Sequence, residues 1–104
     1  MTLRMTNKEN PKKGIAILGS TGSIGTQALE VIKANADHFR VEVLTSNSNA
    51  ELLVKQALEF KPNAIVIADE SKYSFVKDAL DPHFIKVFAG SDALEQVVEM
   101  EEIV

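Results

Sequence analysis

The chain has 104 residues, 45% hydrophobic and 25% charged, which fits one globular domain and excludes a wholly disordered chain. Eleven basic against fifteen acidic residues leave a net charge of −4, so there is no broad basic surface to recommend nucleic acid as a partner. With no cysteine, disulfides, thiolate zinc sites and cysteine nucleophiles are excluded, a usage compatible with a cytoplasmic setting. No apolar run approaches the roughly 20 residues needed to cross a bilayer, and no signal-peptide core opens the chain, so no membrane partner is expected.

Residues 1–13 differ from the rest. Arg4, Lys8, Lys12 and Lys13 against Glu9 give this stretch a net +3, leaving −7 on residues 14–104. It lacks the Arg/Ser-rich amphipathic pattern of a transit peptide and is expected to be a disordered basic leader. From Gly14 onward short apolar runs alternate with helical spacing. GIAIL (14–18) reads as a buried strand, and Ile24, Ala28, Val31 and Ile32 then share one helix face. VEVL (41–44) is a second strand. Ala50, Leu53, Val54, Ala57 and Leu58 mark a second helix that Lys61-Pro62 stops. AIVIA (64–68) is a third strand, and Tyr73, Val76, Ala79 and Leu80 a third helix closed by Asp81-Pro82. FIKVF (84–88) is a fourth strand and Leu94, Val97 and Val98 a fourth helix. Ile103-Val104 reads as the opening of a fifth strand that is cut off.

Strands that alternate with helices run parallel, and right-handed crossovers cover both faces of the sheet. The expected fold is therefore α/β, a Rossmann-like doubly wound parallel sheet with strand order 3-2-1-4, occupying residues 14–104.

The chemistry lies in the segment Gly19, Ser20, Thr21, Gly22, Ser23, Ile24, Gly25, between the first strand and the first helix. Its glycines fall at i, i+3 and i+6, not the i, i+2 and i+5 of the usual dinucleotide fingerprint, but they meet the same needs. One permits the tight turn, one admits a pyrophosphate close to backbone, and one lets the helix pack against the sheet. Helix N–H groups then face the anion, and Ser20, Thr21 and Ser23 add hydroxyls. A tight turn with incidental glycines is the competing reading; the position between strand and helix favours dinucleotide binding. No Gly-Lys-Ser/Thr follows, which excludes the loop of an ATPase.

An NAD site places an acid about 20 residues beyond the loop, to bind the ribose hydroxyls. Here that stretch reads Thr45, Ser46, Asn47, Ser48, Asn49, with no acid. Hydroxyls and amides there can donate to a 2′-phosphate, so NADP is favoured. Ser48 also reads as the cap of helix two, with Glu51 completing a capping box. His38 and His83 read as turn residues, Asp69 and Glu70 as an acidic first turn of helix three, and Ser91 as the cap of helix four. Asp92, Glu95, Glu99, Glu101 and Glu102 read as a solvated acidic face.

ILGSTGSIGTQALEVI (17–32), followed by HFRVEVL (38–44) and the LEFKP stretch (58–62), resembles the N-terminal NADPH-binding domain of the 1-deoxy-D-xylulose 5-phosphate reductoisomerase family. The resemblance implies an NADPH-dependent oxidoreductase of non-mevalonate isoprenoid biosynthesis, a homodimer that also uses Mg or Mn. It implies conversion of 1-deoxy-D-xylulose 5-phosphate to 2-C-methyl-D-erythritol 4-phosphate. Family cofactor contacts carry over to Thr21, Gly22, Ser23 and Ile24. The family's 2′-phosphate turn, Gly then a basic residue then Asn, falls on Asn47, Ser48 and Asn49, where only Asn49 is retained. Catalytic residues, metal ligands and sugar-phosphate contacts are expected beyond residue 104, so this chain alone is expected to bind NADPH weakly and catalyse nothing. The alternatives are another NADP-dependent dehydrogenase, such as a semialdehyde dehydrogenase, and a stand-alone NADP-sensing module.

Overall fold

A computed structural model of the chain describes residues 12–98. Strand β1 spans Lys13–Ile17, helix α1 Ser23–Ala34, β2 Phe39–Ser46, α2 Ala50–Phe60 and β3 Ala64–Ile67. A 3-10 turn at Glu70–Lys72 leads into α3, Tyr73–Leu80; a second at Asp81–His83 leads to β4, Lys86–Ala89, and then to α4, Ser91–Val98. The expected alternation of parallel strands and helices is present. Lys13 already belongs to β1 and its N–H donates to the His38 carbonyl at 2.9 Å, while Arg40 Nη1 holds the Lys12 carbonyl at 2.7 Å. The basic leader therefore gives way to fold before residue 14. Residues 1–11 of the leader, the acids Glu99, Glu101 and Glu102, and the strand expected at 103–104 lie outside the described residues.

The strand order corrects the expectation. The sheet runs β1-β2-β3-β4, not 3-2-1-4, because β4 pairs with β3 from Ala64↔Lys86 to Ile67↔Ala89. Three steps in one direction, each right-handed, place α1, α2 and α3 on a single face. That face holds the larger core, which joins Ile15 and Ile17 to Leu29, Leu44, Leu53, Ile65, Ile67, Val76 and Leu80. Helix α4 covers the other face, where Val97, Ala93 and Leu94 pack with Ala16, Val43 and Val66. The third strand is uniformly apolar because it is interior on both edges and both faces, and Ile65, Val66 and Ile67 are all buried.

The pairing of β1 with β2 slips by one residue between Ile15 and Ala16, with Glu42 as the extra residue on β2. This bulge reverses the alternation along β2, so that Val41 and Leu44, three apart, both reach the larger core. On α1 the buried face is Gly25, Leu29 and Ile32. Ile24 and Val31, expected inside, are 82% and 58% exposed. The helix is rotated from its most apolar stripe because its first turn is pressed onto the glycine loop through Gly25.

Candidate functional site

The glycine loop leaves the carboxyl end of β1 and is fixed from below by β2 and α2. Gly19 adopts φ +68°, a conformation open to glycine at little cost. Its N–H donates to Thr45 Oγ1 at 2.9 Å, and the Ser20 N–H to the Thr45 carbonyl at 2.8 Å. Ser20 is fully buried. Its hydroxyl donates to Gln56 Oε1 at 2.7 Å, and Gln56 Nε2 returns a bond to the Ser20 carbonyl at 2.9 Å. The Thr21 and Ser46 hydroxyls meet at 2.8 Å. A Cβ on Gly25 would stand 2.2 Å from the Gly19 carbonyl oxygen and 2.6 Å from Ser20 Cα, so this position admits only glycine without a backbone shift.

The amino end of α1 is bare. Gly22 is the cap residue and supplies no side-chain acceptor, and the first turn contains no acid. Helix α2 differs: Asn49 Oδ1 accepts from the Leu52 N–H at 3.3 Å, and Glu51 lies in the first turn. The first N–H groups of α1 are thus presented to an external anion together with the exposed Ser23 hydroxyl, and the helix dipole adds to the attraction.

The expected residues gather at one end of the sheet but divide by role. Gly19, Gly22, Ser23 and Ile24 are exposed and Thr21 is half-buried. Ser20 and Ser46 are buried, and their hydroxyls are occupied within the protein, so Ser20 does not offer a donor to a ligand as the sequence implied. Asn47, Ser48 and Asn49 form an exposed turn after β2. Asn49, not Ser48, caps α2, because the helix starts at Ala50; the expected Ser48–Glu51 box is displaced by one residue. Gln56 has no role in the sequence reading, and Thr45, read there as the start of the 2′-phosphate stretch, instead holds the loop with it. The signal for Gln56 was a polar residue on the apolar face of α2, between Leu53 and Ala57.

The other candidates take structural roles. Asp69 Oδ1 accepts from the Ser71 hydroxyl at 2.6 Å and the Ser71 N–H at 3.0 Å, which holds its carboxyl below the usual carboxylate range. Glu70 lies over Gly90, where a Cβ would stand 2.7 Å from Glu70 Oε2. His38 meets Phe39 edge-on at 6.5 Å, and His83 sits in the Asp81–His83 turn. Both precede strands, at the end of the sheet away from the glycine loop. Ser91 is the first residue of α4. Among the described residues no three His, Asp or Glu side chains gather as a metal site would require.

Comparison with known proteins places these features in context. A family model described as 1-deoxy-D-xylulose 5-phosphate reductoisomerase matches residues 15–104. The protein of that name from Phocaeicola vulgatus is 56% identical over 92 residues, 88% of this chain and 24% of that protein. Its counterpart from Porphyromonas gingivalis is 49% identical over 92 residues, again 88% of this chain and 24% of that protein. Among solved structures, the Zymomonas mobilis reductoisomerase in complex with NADPH superposes with a TM-score of 0.81 at 37% identity, over 86% of this chain and 24% of that one. A reductoisomerase complexed with NADPH, fosmidomycin and magnesium gives a TM-score of 0.78 at 27% identity, over 88% of this chain and 22% of that one. The chain spans about a quarter of the length of these relatives.

Proposed function

Because the chain belongs to the 1-deoxy-D-xylulose 5-phosphate reductoisomerase family, we propose that it is the NADPH-holding part of an enzyme that rearranges and reduces 1-deoxy-D-xylulose 5-phosphate to 2-C-methyl-D-erythritol 4-phosphate. The observation that carries this reading is the uncapped first turn of α1 beneath a loop that admits only glycine at position 25. The N–H groups of Ser23 and Ile24, with the Ser23 hydroxyl, receive the pyrophosphate. Ile24 stands clear of the core and offers apolar surface on the nicotinamide side. Asn47, Ser48 and Asn49 receive the 2′-phosphate, and the absence of an acid there leaves no like charge to repel it. Thr45, Ser20 and Gln56 act from beneath by fixing the loop. When bound, NADPH supplies the hydride; the protein supplies position and electrostatics.

Magnesium or manganese and the sugar phosphate belong, in this proposal, to the enzyme as a whole. The described residues offer no acidic cluster for a divalent ion, so no step at a metal is assigned to this chain. The cytoplasm is the proposed setting, and among the described residues no helix is long and apolar enough to cross a membrane. Calorimetric titration of the chain with NADPH and with NADH tests the reading. Tighter binding of NADPH is expected; equal binding, or preference for NADH, overturns it.

A further inference from the structure

The turn after β2 carries no positive charge, although the proposed nucleotide brings a phosphate dianion to it. The fold delivers a cation from the next connection. A surface cavity of about 460 Å³ is lined by Ser48, Asn49, Ala50, Glu51, Lys72 and Phe75. Lys72 ends the 3-10 turn after β3, and that turn is tied to the one bearing Ser48. The Ala68 N–H donates to the Ser46 carbonyl at 2.9 Å and the Asp69 N–H to the Asn47 carbonyl at 2.8 Å. Asp69 in turn holds Ser71 through both its N–H and its hydroxyl. Lys72 is exposed, and Phe75, three residues on along the chain, is 51% exposed on the same cavity. A lysine here is a mobile point charge with three donors, suited to a phosphate beside neutral hydroxyl and amide groups.

We propose that Lys72 is a specificity-determining residue, its ammonium pairing with the phosphate on the 2′-oxygen of the adenosine ribose across the cavity from Ser48 and Asn49. The assignment rests on the NADPH reading above and adds to it the cation which that reading lacks. Phe75 forms an apolar wall beside the adenosine. Glu51, the one carboxylate lining the cavity, opposes the phosphate.

Isothermal titration of the full chain with NADPH and NADH at low ionic strength tests this, with Lys72→Gln, Lys72→Arg and Glu51→Gln as variants. Lys72→Gln is expected to weaken NADPH roughly tenfold and leave NADH unchanged. Lys72→Arg should restore the preference, and Glu51→Gln should sharpen it. Added salt should shrink the preference of the wild type more than that of Lys72→Gln. Unchanged thermal unfolding of the variants confirms the fold. If the wild type prefers NADPH and Lys72→Gln keeps the same ratio, or weakens both nucleotides equally, the role of Lys72 is overturned while the NADPH reading stands. If the wild type shows no preference for NADPH, the reading falls and takes the assignment with it.

Discussion

Gln56 shows how one side chain can govern a loop it does not belong to. It is buried on α2 and exchanges two hydrogen bonds with Ser20, one at the hydroxyl and one at the carbonyl. Replacing Gln56 with alanine takes the 2.9 Å bond from the Ser20 carbonyl and leaves the buried Ser20 hydroxyl only its 3.3 Å bond to the Thr45 carbonyl, at a cost of about 1–3 kcal/mol. The Gln56→Ala chain should therefore melt at lower temperature in differential scanning calorimetry and bind NADPH more weakly, whereas Glu59→Ala on the exposed side of α2 should change neither appreciably. Equal melting of Gln56→Ala and the wild type would remove the argument. The glycine loop itself was legible in the sequence because its glycines answer local steric needs. Its support was not, since Thr45 and Gln56 lie 25 and 36 positions beyond Ser20 and meet it only after the chain has folded.

At the scale of single elements, caps decide where helices begin; the starts of α2 and α4 are read to within a residue, whereas Asp69 and Glu70, expected in the first turn of α3, open the 3-10 turn ahead of it. The Lys61-Pro62 stop is real: Lys61 ends α2 in the left-handed region at φ 51°. The start of α2 shifted from Ser48 to Asn49 because either side chain can cap, and the turn geometry chose between them. The turn before α3 depends on Asp69 as an ionised acceptor. Because the hydrogen bonds from Ser71 hold the folded carboxyl below its ordinary value of 3.8, its stabilisation is fully present above that pH and is lost as pH falls through the lower folded value. Asp69→Ala should therefore lower the unfolding temperature by a constant amount from pH 7 to about 4, and by less as pH drops further. A deficit that stays the same down to pH 2 would show that the charge plays no part.

Across the whole molecule, periodicity revealed strands, helices and parallel pairing but not the direction of each step. That direction depends on which face a helix covers, and the apolar stripe of α3 is equally satisfied on either side of a sheet. The uniformly apolar third strand was the available signal, for it fits an interior strand better than an edge one. Within the described residues β1 is paired on one side only, and beside it Ile15, Ala28, Val31, Ile32 and Phe39 line an apolar hollow of about 400 Å³. Unpaired strand edges recruit further strands. Homo-oligomers are accordingly expected, and sedimentation velocity should show a dimer fraction that rises with concentration; a monomer throughout would count against this.

The extra residue in β2 has an effect beyond the two strands it joins. Glu42 sets the phase of everything after it, including Thr45 and Ser46, whose oxygens hold the glycine loop. Were the same residues to alternate strictly, with Glu42 paired rather than bulged out, either Val41 or Leu44 would turn from the larger core, or Thr45 and Ser46 would swap sides and let go of Gly19 and Thr21. The bulge thus reconciles two demands that strict alternation of these residues could not meet together, an oily lower half of the strand and a hydroxyl-bearing upper rim aimed at the glycine loop.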